Sequence, residues 1–108
     1  MLHLTLDEGI PKLITAFAQN RLLIRQPTRP MLCRYRHGTR VCAIGAMLPN
    51  YNPSFEGRRI TSLPLSIPAR DLPALLEIQT QHDTGDLPRF VQFMKDRGYA
   101  DLSITGAP

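Results

Sequence analysis

Ten prolines in 108 residues decide where this chain can be regular. A proline has no backbone N–H and a fixed φ, so it is tolerated in the first turn of a helix or at a sheet edge and disrupts either elsewhere. Pro27 and Pro30 forbid regular pairing over 21–30, and Pro49, Pro53, Pro64 and Pro68 make 46–68 a long connection with little regular structure. A loop of that length is usually functional or packed by its own side chains. Tyr51 and Phe55 are the residues to supply that packing.

The remaining segments can be assigned by period. Residues 7–19 predict a helix, because Leu6, Ile10, Leu13, Ile14 and Phe17 fall on one stripe at 3.6-residue spacing. Pro11 sets its start close to Asp7–Ile10, so that the proline lies in the first turn, and Asn20 is the stop. Later in the chain Asp71-Leu-Pro recurs as Asp86-Leu-Pro. Each reads as a helix start in which the aspartate accepts from the first free N–H groups and the proline needs no donor. The helices are expected over 71–82, with Leu72, Leu75, Leu76 and Gln79 on one face, and over 86–97, with Leu87, Phe90, Val91 and Met94 inward. Gly98 ends the second. The short link at Asp83-Thr84-Gly85 predicts antiparallel packing, and His82 closes the first helix near its negative end. Residues 99–108 are expected to be a flexible tail.

Both cysteines lie in one stretch, CRYRHGTRVCAIGAMLPNY, from Cys33 to Tyr51. Residues 31–36 and 39–45 predict two strands around a turn at His37-Gly38. Counting outward places Arg36 opposite Thr39, Arg34 opposite Val41 and Cys33 opposite Cys42, the last a closely spaced non-hydrogen-bonded pair. Cys42-Ala-Ile-Gly-Ala-Met-Leu either completes a packed strand or turns into a short helix before Pro49. The expected fold is α+β: the N-terminal helix, a small antiparallel sheet built on a 31–45 hairpin, and the two C-terminal helices, all in one domain spanning 1–108.

Several readings of the two thiols stand. Two small buried reduced residues are the plainest, since cysteine is among the residues most often buried. A cross-strand disulfide would need an oxidising setting. A nucleophile would need His82 as its base, and a metal site would draw on Cys33, Cys42 and His82, although C-x8-C is not a zinc-knuckle spacing. Gly45 lacks the second glycine and the lysine of a phosphate-binding loop. The chain is therefore read as having no catalytic residue, no metal and no cofactor.

Charge divides the chain. Lys12, Arg21, Arg25, Arg29, Arg34, Arg36 and Arg40 follow Glu8 with no acid before Glu56, so residues 1–55 carry a net +5, while residues 56–108 carry −1. Residues 71–98 are the near-neutral helical part. Eleven of the thirteen basic residues are arginine, whose planar fork pairs with carboxylate or phosphate in a bidentate way. A basic half of this kind suits an anionic partner. The residues expected to meet it are Arg25, Arg29, Arg34, Arg36 and Arg40, with Tyr35 and Tyr51 beside them. No apolar run approaches the roughly 20 residues that cross a bilayer, and the N-terminal stretch has acids where a secretory leader is basic. A cytoplasmic protein that does not meet the membrane is expected.

Cys33-x-Tyr35-Arg36, then Gly38, then Cys42-Ala-Ile-Gly-Ala-Met-Leu-Pro-Asn, with Glu56-Gly57 and a segment ending His82-Asp83, resembles a family of small phage and prophage proteins. Their pattern is a helix, C-x-Y-R…G-x-x-C-A-[VI]-G-x-[LI]-I-P-D, and two helices bracketing L-Q-x-x-H-D. The resemblance covers residues 10–98. Asn50 stands where that family usually has an acid, and Ile78-Gln79 replaces Leu-Gln. The resemblance implies a mobile-element setting. Small proteins of that setting without catalytic motifs work by binding, which implies a non-enzymatic interaction protein. Its arginine-rich hairpin region would hold an anionic or acidic host partner, as an inhibitor of host defence of the anti-CRISPR kind does. Two alternatives stand beside it: a module, oligomeric in form, that sequesters an anionic nucleotide signal, and a nucleic-acid-binding protein.

Overall fold

Thr5 sets the start of the first helix. It is extended, its hydroxyl oxygen accepts the Glu8 N–H at 3.1 Å, and the same hydroxyl donates to Glu8 Oε1 at 3.2 Å, a close relative of the capping box. A computed structural model describes residues 2–22, 35–37, 40–56, 58–83 and 85–102, with the backbone alone at 36, 37 and 40. Helix α1 spans Leu6–Ala18. It begins earlier than Pro11 suggests, so the proline lies in the second turn rather than the first. The Asp7 carbonyl then loses its intrahelical donor, which an exposed residue can replace with water. Asn20 ends the helix in the left-handed region (φ 57°). The Arg21 N–H reaches back to the Ala16 carbonyl at 2.8 Å and the Asn20 N–H to Phe17 at 3.0 Å, a Schellman closure.

The strand before α1 positions it. Leu2–His3 (β1) pairs in parallel with Leu65–Ser66 (β4), and the Leu4 N–H continues the ladder to the Ser66 carbonyl at 3.0 Å. This brings the start of α1 beside the start of α3 (Leu72–His82). As a result Asp71 caps the wrong helix by the sequence expectation. Its carboxylate accepts the Leu6 N–H of α1 at 3.0 Å and makes no side-chain cap on α3. Asp86 does cap its own helix, α4 (Leu87–Asp96), accepting the Arg89 N–H at 3.1 Å.

The expectation of an α+β fold with a small antiparallel sheet on a 31–45 hairpin is overturned. The described residues are mainly helical, every strand is two residues long, and one of the two strand pairs is parallel. Residues 31–34 lie outside the described residues. What remains of the hairpin is Arg36–His37 (β2) against Arg40–Val41 (β3), with Arg36 opposite Val41 and His37 opposite Arg40. This register is offset by two residues from the expected one. The Cys42 N–H donates to the Tyr35 carbonyl at 3.2 Å, so the backbone facing Cys42 is that of Tyr35, not Cys33.

The second expected strand gives way to helix α2, Ala43–Met47. Glycine explains the crossing. A Cβ on Gly45 would sit 1.9 Å from the Tyr35 carbonyl oxygen, so this approach of strand to helix is open to glycine alone. Gly9 lets α1 approach closely as well, since a Cβ there would lie 3.0 Å from the Met47 side chain. The 46–68 segment is packed rather than loose. Short 3-10 turns at Pro53–Phe55 and Ile60–Ser62 bury Phe55 and Ile60, and Tyr51 meets Phe55 edge to face at 6.3 Å.

In the C-terminal part the buried stripe of α3 is Leu75, Ile78 and His82, while Leu76 is exposed. The inward face is thus rotated from the expected one. Helix α4 buries Phe90 and Met94 but exposes Leu87. The expected tail packs back as far as Leu102, which is fully buried, with Tyr99 edge to face on Phe93 at 6.0 Å. Arg97 ties α4 to α3 through Glu77 at 2.7 Å. Replacing Gly45 with alanine is expected to destabilise the protein by roughly 1–3 kcal/mol or more, the range of overpacked cores. Urea denaturation measures it, and a loss below about 0.5 kcal/mol would mean that the strand and α2 do not meet this closely.

Candidate functional site

Where α2 crosses α1, the two helices leave a cleft of about 260 Å³. Its floor is small and apolar: Ala16 from α1, Val41 from β3, and Gly45, Ala46 and Leu48 from α2 and its end. Its rim is polar and cationic, made by Lys12, Thr15 and Arg21, and no acid is among the described residues that line it. Lys12 is exposed and forms no ion pair among the described residues. Glu8, one helical turn earlier, is occupied by the Thr5 hydroxyl. Arg21 is held on both sides of its backbone, by its N–H to Ala16 and by its carbonyl, which accepts the Val41 N–H at 2.9 Å. Its guanidinium donates to Gln19 Oε1 at 3.0 Å. The Thr15 hydroxyl donates to the Pro11 carbonyl at 3.0 Å, so towards the cleft its oxygen has only lone pairs to offer.

The residues singled out from sequence fall in four groups. Arg25, Arg29, Arg34 and Cys33 lie outside the described residues. Arg36 and Arg40 stand on β2 and β3, and the latter strand runs into the cleft floor at Val41. Tyr35 and Tyr51 converge on one carboxylate: Glu56 accepts the Tyr35 N–H at 3.0 Å through Oε1 and the Tyr51 hydroxyl at 2.6 Å through Oε2. Tyr35 is 3% exposed and its hydroxyl donates to the Arg58 carbonyl. It is a core residue in this arrangement, with no ring face turned to a ligand. Lys12 and Arg21 were counted in the basic half but not singled out; both lie along α1 and its C-terminal closure, and the packing of α2 on α1 is what makes a cleft beside them.

The remaining candidates, Cys42 and His82, belong to the support of α2. Cys42 is buried, and its sulfur accepts the Gly45 N–H at 3.2 Å as the N-cap of α2. The Ile44 N–H donates to Gln79 Oε1 on α3 at 3.0 Å. Gln79 Nε2 in turn donates to Asp83 Oδ1 at 2.7 Å, and the same oxygen lies 3.1 Å from His82 Nδ1. His82 is fully buried, edge-on to Phe90 at 6.1 Å, and its Nε2 has no hydrogen-bond partner among the described residues. Among the described residues no group of three or more His, Cys, Asp and Glu comes together as a metal site would require. No helix among them is long and apolar enough to cross a membrane.

Compared with family models, curated proteins and solved structures, the chain matches none. Replacing Gln79 with leucine leaves the buried Ile44 N–H without its acceptor, and an orphaned donor costs roughly 1–3 kcal/mol. The expected outcome is a loss of stability of that size with little change in a surface control, Gln92→Leu. Equal effects of the two substitutions in thermal and urea unfolding would show that Gln79 does not support α2.

Proposed function

We propose that this chain is a non-enzymatic binding protein of the phage or prophage kind, and that its basic half engages an acidic surface of a host protein, as an inhibitor of host defence. The observation that carries the reading is the cationic cleft. Lys12 on α1 and Arg21 just beyond its end share a rim with no carboxylate among the described residues that line it, and the strand beside it continues the basic run through Arg36 and Arg40. Such a surface attracts an anionic partner over the screening distance of about 8–10 Å at physiological salt and speeds the encounter. The small volume favours a protein side chain over a whole nucleotide, since sites for small ligands usually occupy about 300–1,000 Å³.

Native mass spectrometry of the protein purified from its host tests the choice of partner. A co-purifying protein is expected, lost as salt rises, and a bound nucleotide would favour the sequestering reading instead. Replacing both Arg34 and Arg36 with glutamate is expected to weaken that complex several-fold while thermal stability stays unchanged. Unchanged binding at unchanged stability would show that the basic run is only a solvated face.

A further inference from the structure

We infer, on the reading that the partner is an acidic protein, that the cleft between α1 and α2 is an anchor pocket for a single carboxylate-bearing side chain of that partner, glutamate in size. Two features of the cleft select this ligand. Its floor of Ala16, Val41 and Ala46 is apolar and suits the methylenes of a short side chain. Its rim carries one lysine and one arginine, two cations to attract a carboxylate. An anion with no apolar part, such as phosphate, would leave the floor uncovered.

The site is also built in advance. Arg21 leaves the backbone at a point held from both sides. The floor cannot shift easily, because Gly45 is pressed against the Tyr35 carbonyl and Ile44 is fixed to Gln79. Rigid groups lose little freedom when a ligand arrives. The pocket would thus supply position and register, while the arginines of the neighbouring run supply long-range attraction.

The test is an NMR titration of the whole protein with the capped tripeptide acetyl-Gly-Glu-Gly-amide at fixed ionic strength. Saturable shifts are expected at the amides of Ala16, Arg21 and Ala46. The glutamine tripeptide should bind at least about fivefold more weakly, and inorganic phosphate more weakly than the glutamate tripeptide. Lys12→Ala should weaken binding roughly two- to fivefold, as an exposed charge does, and Arg21→Gln roughly tenfold, as the loss of one hydrogen bond to a charged group does. Ala46→Leu adds a helix-compatible side chain to the floor, keeps every charge, and should abolish the shifts in a folded protein. Equal binding of the glutamine tripeptide, phosphate at least as tight as glutamate, or shifts that survive Ala46→Leu would each overturn the pocket. Were the host complex still weakened by the Arg34 and Arg36 reversals, the acidic-partner reading would stand without it. A complex insensitive to those reversals beside a titratable pocket would reject that reading alone.

Discussion

A five-residue helix cannot hold itself together in water, where isolated helices below about 12–15 residues are marginal. Helix α2 exists because its neighbours complete it. Cys42 Sγ takes the Gly45 N–H and Gln79 takes the Ile44 N–H, so two of the donors that a helix start leaves free are satisfied without water. Its buried residues, Ala43, Ile44, Gly45 and Met47, then contribute apolar burial, roughly 1.5–3 kcal/mol for each large side chain. Elements from both ends of the chain converge on it: α1 through Gly9, the strand segment through Tyr35, and α3 through Gln79.

The proposed site follows from the same arrangement. The cleft is the gap left where a helix of small residues crosses α1, and Ala46 and Gly45 are small on the side that faces Lys12 and Arg21. Any larger residue at 45 would push the strand away, and with it Val41 and the closure of the floor. The polar relay from Ile44 through Gln79 to Asp83 and His82 fixes α2 against α3 from the opposite direction. Packing constraints and binding geometry are therefore carried by the same few residues.

Local signals in the sequence located the helices closely. Leu6–Ala18 lies where the 3.6-residue stripe placed a helix over 7–19, and Leu72–His82 and Leu87–Asp96 follow the two Asp-Leu-Pro starts. Asn20 and Gly98 end their helices as their types suggest, both at positive φ. Long-range contacts were not legible. The pairing of Leu2–His3 with Leu65–Ser66 depends on segments too short to show a period, and it redirects Asp71 from its own helix to Leu6. The cysteine-bearing stretch misled for a related reason. Alternating small and apolar residues after Cys42 fit a strand as well as a helix, and the choice was made by Gln79, remote in sequence, and by the close approach of Gly45 to the Tyr35 carbonyl. Tyr35 read as a ligand-facing aromatic because its neighbours are arginines, whereas the Glu56 carboxylate and the Arg58 carbonyl draw it inward. The cleft itself could not be foreseen, since Lys12 and Arg21 lie along α1 and its end while much of the floor comes from α2.

Native-state hydrogen exchange tests most directly whether α2 is the element on which the others converge. If it is completed by Cys42 and Gln79 and closed by Tyr35, the amides of Ile44 and Gly45 should exchange only when the whole protein unfolds. Their opening free energies should then match that of Leu13 in the middle of α1 and should fall with denaturant at the same slope. Exchange of Ile44 and Gly45 through a local opening, at a free energy well below that of Leu13 and insensitive to denaturant, would contradict the account.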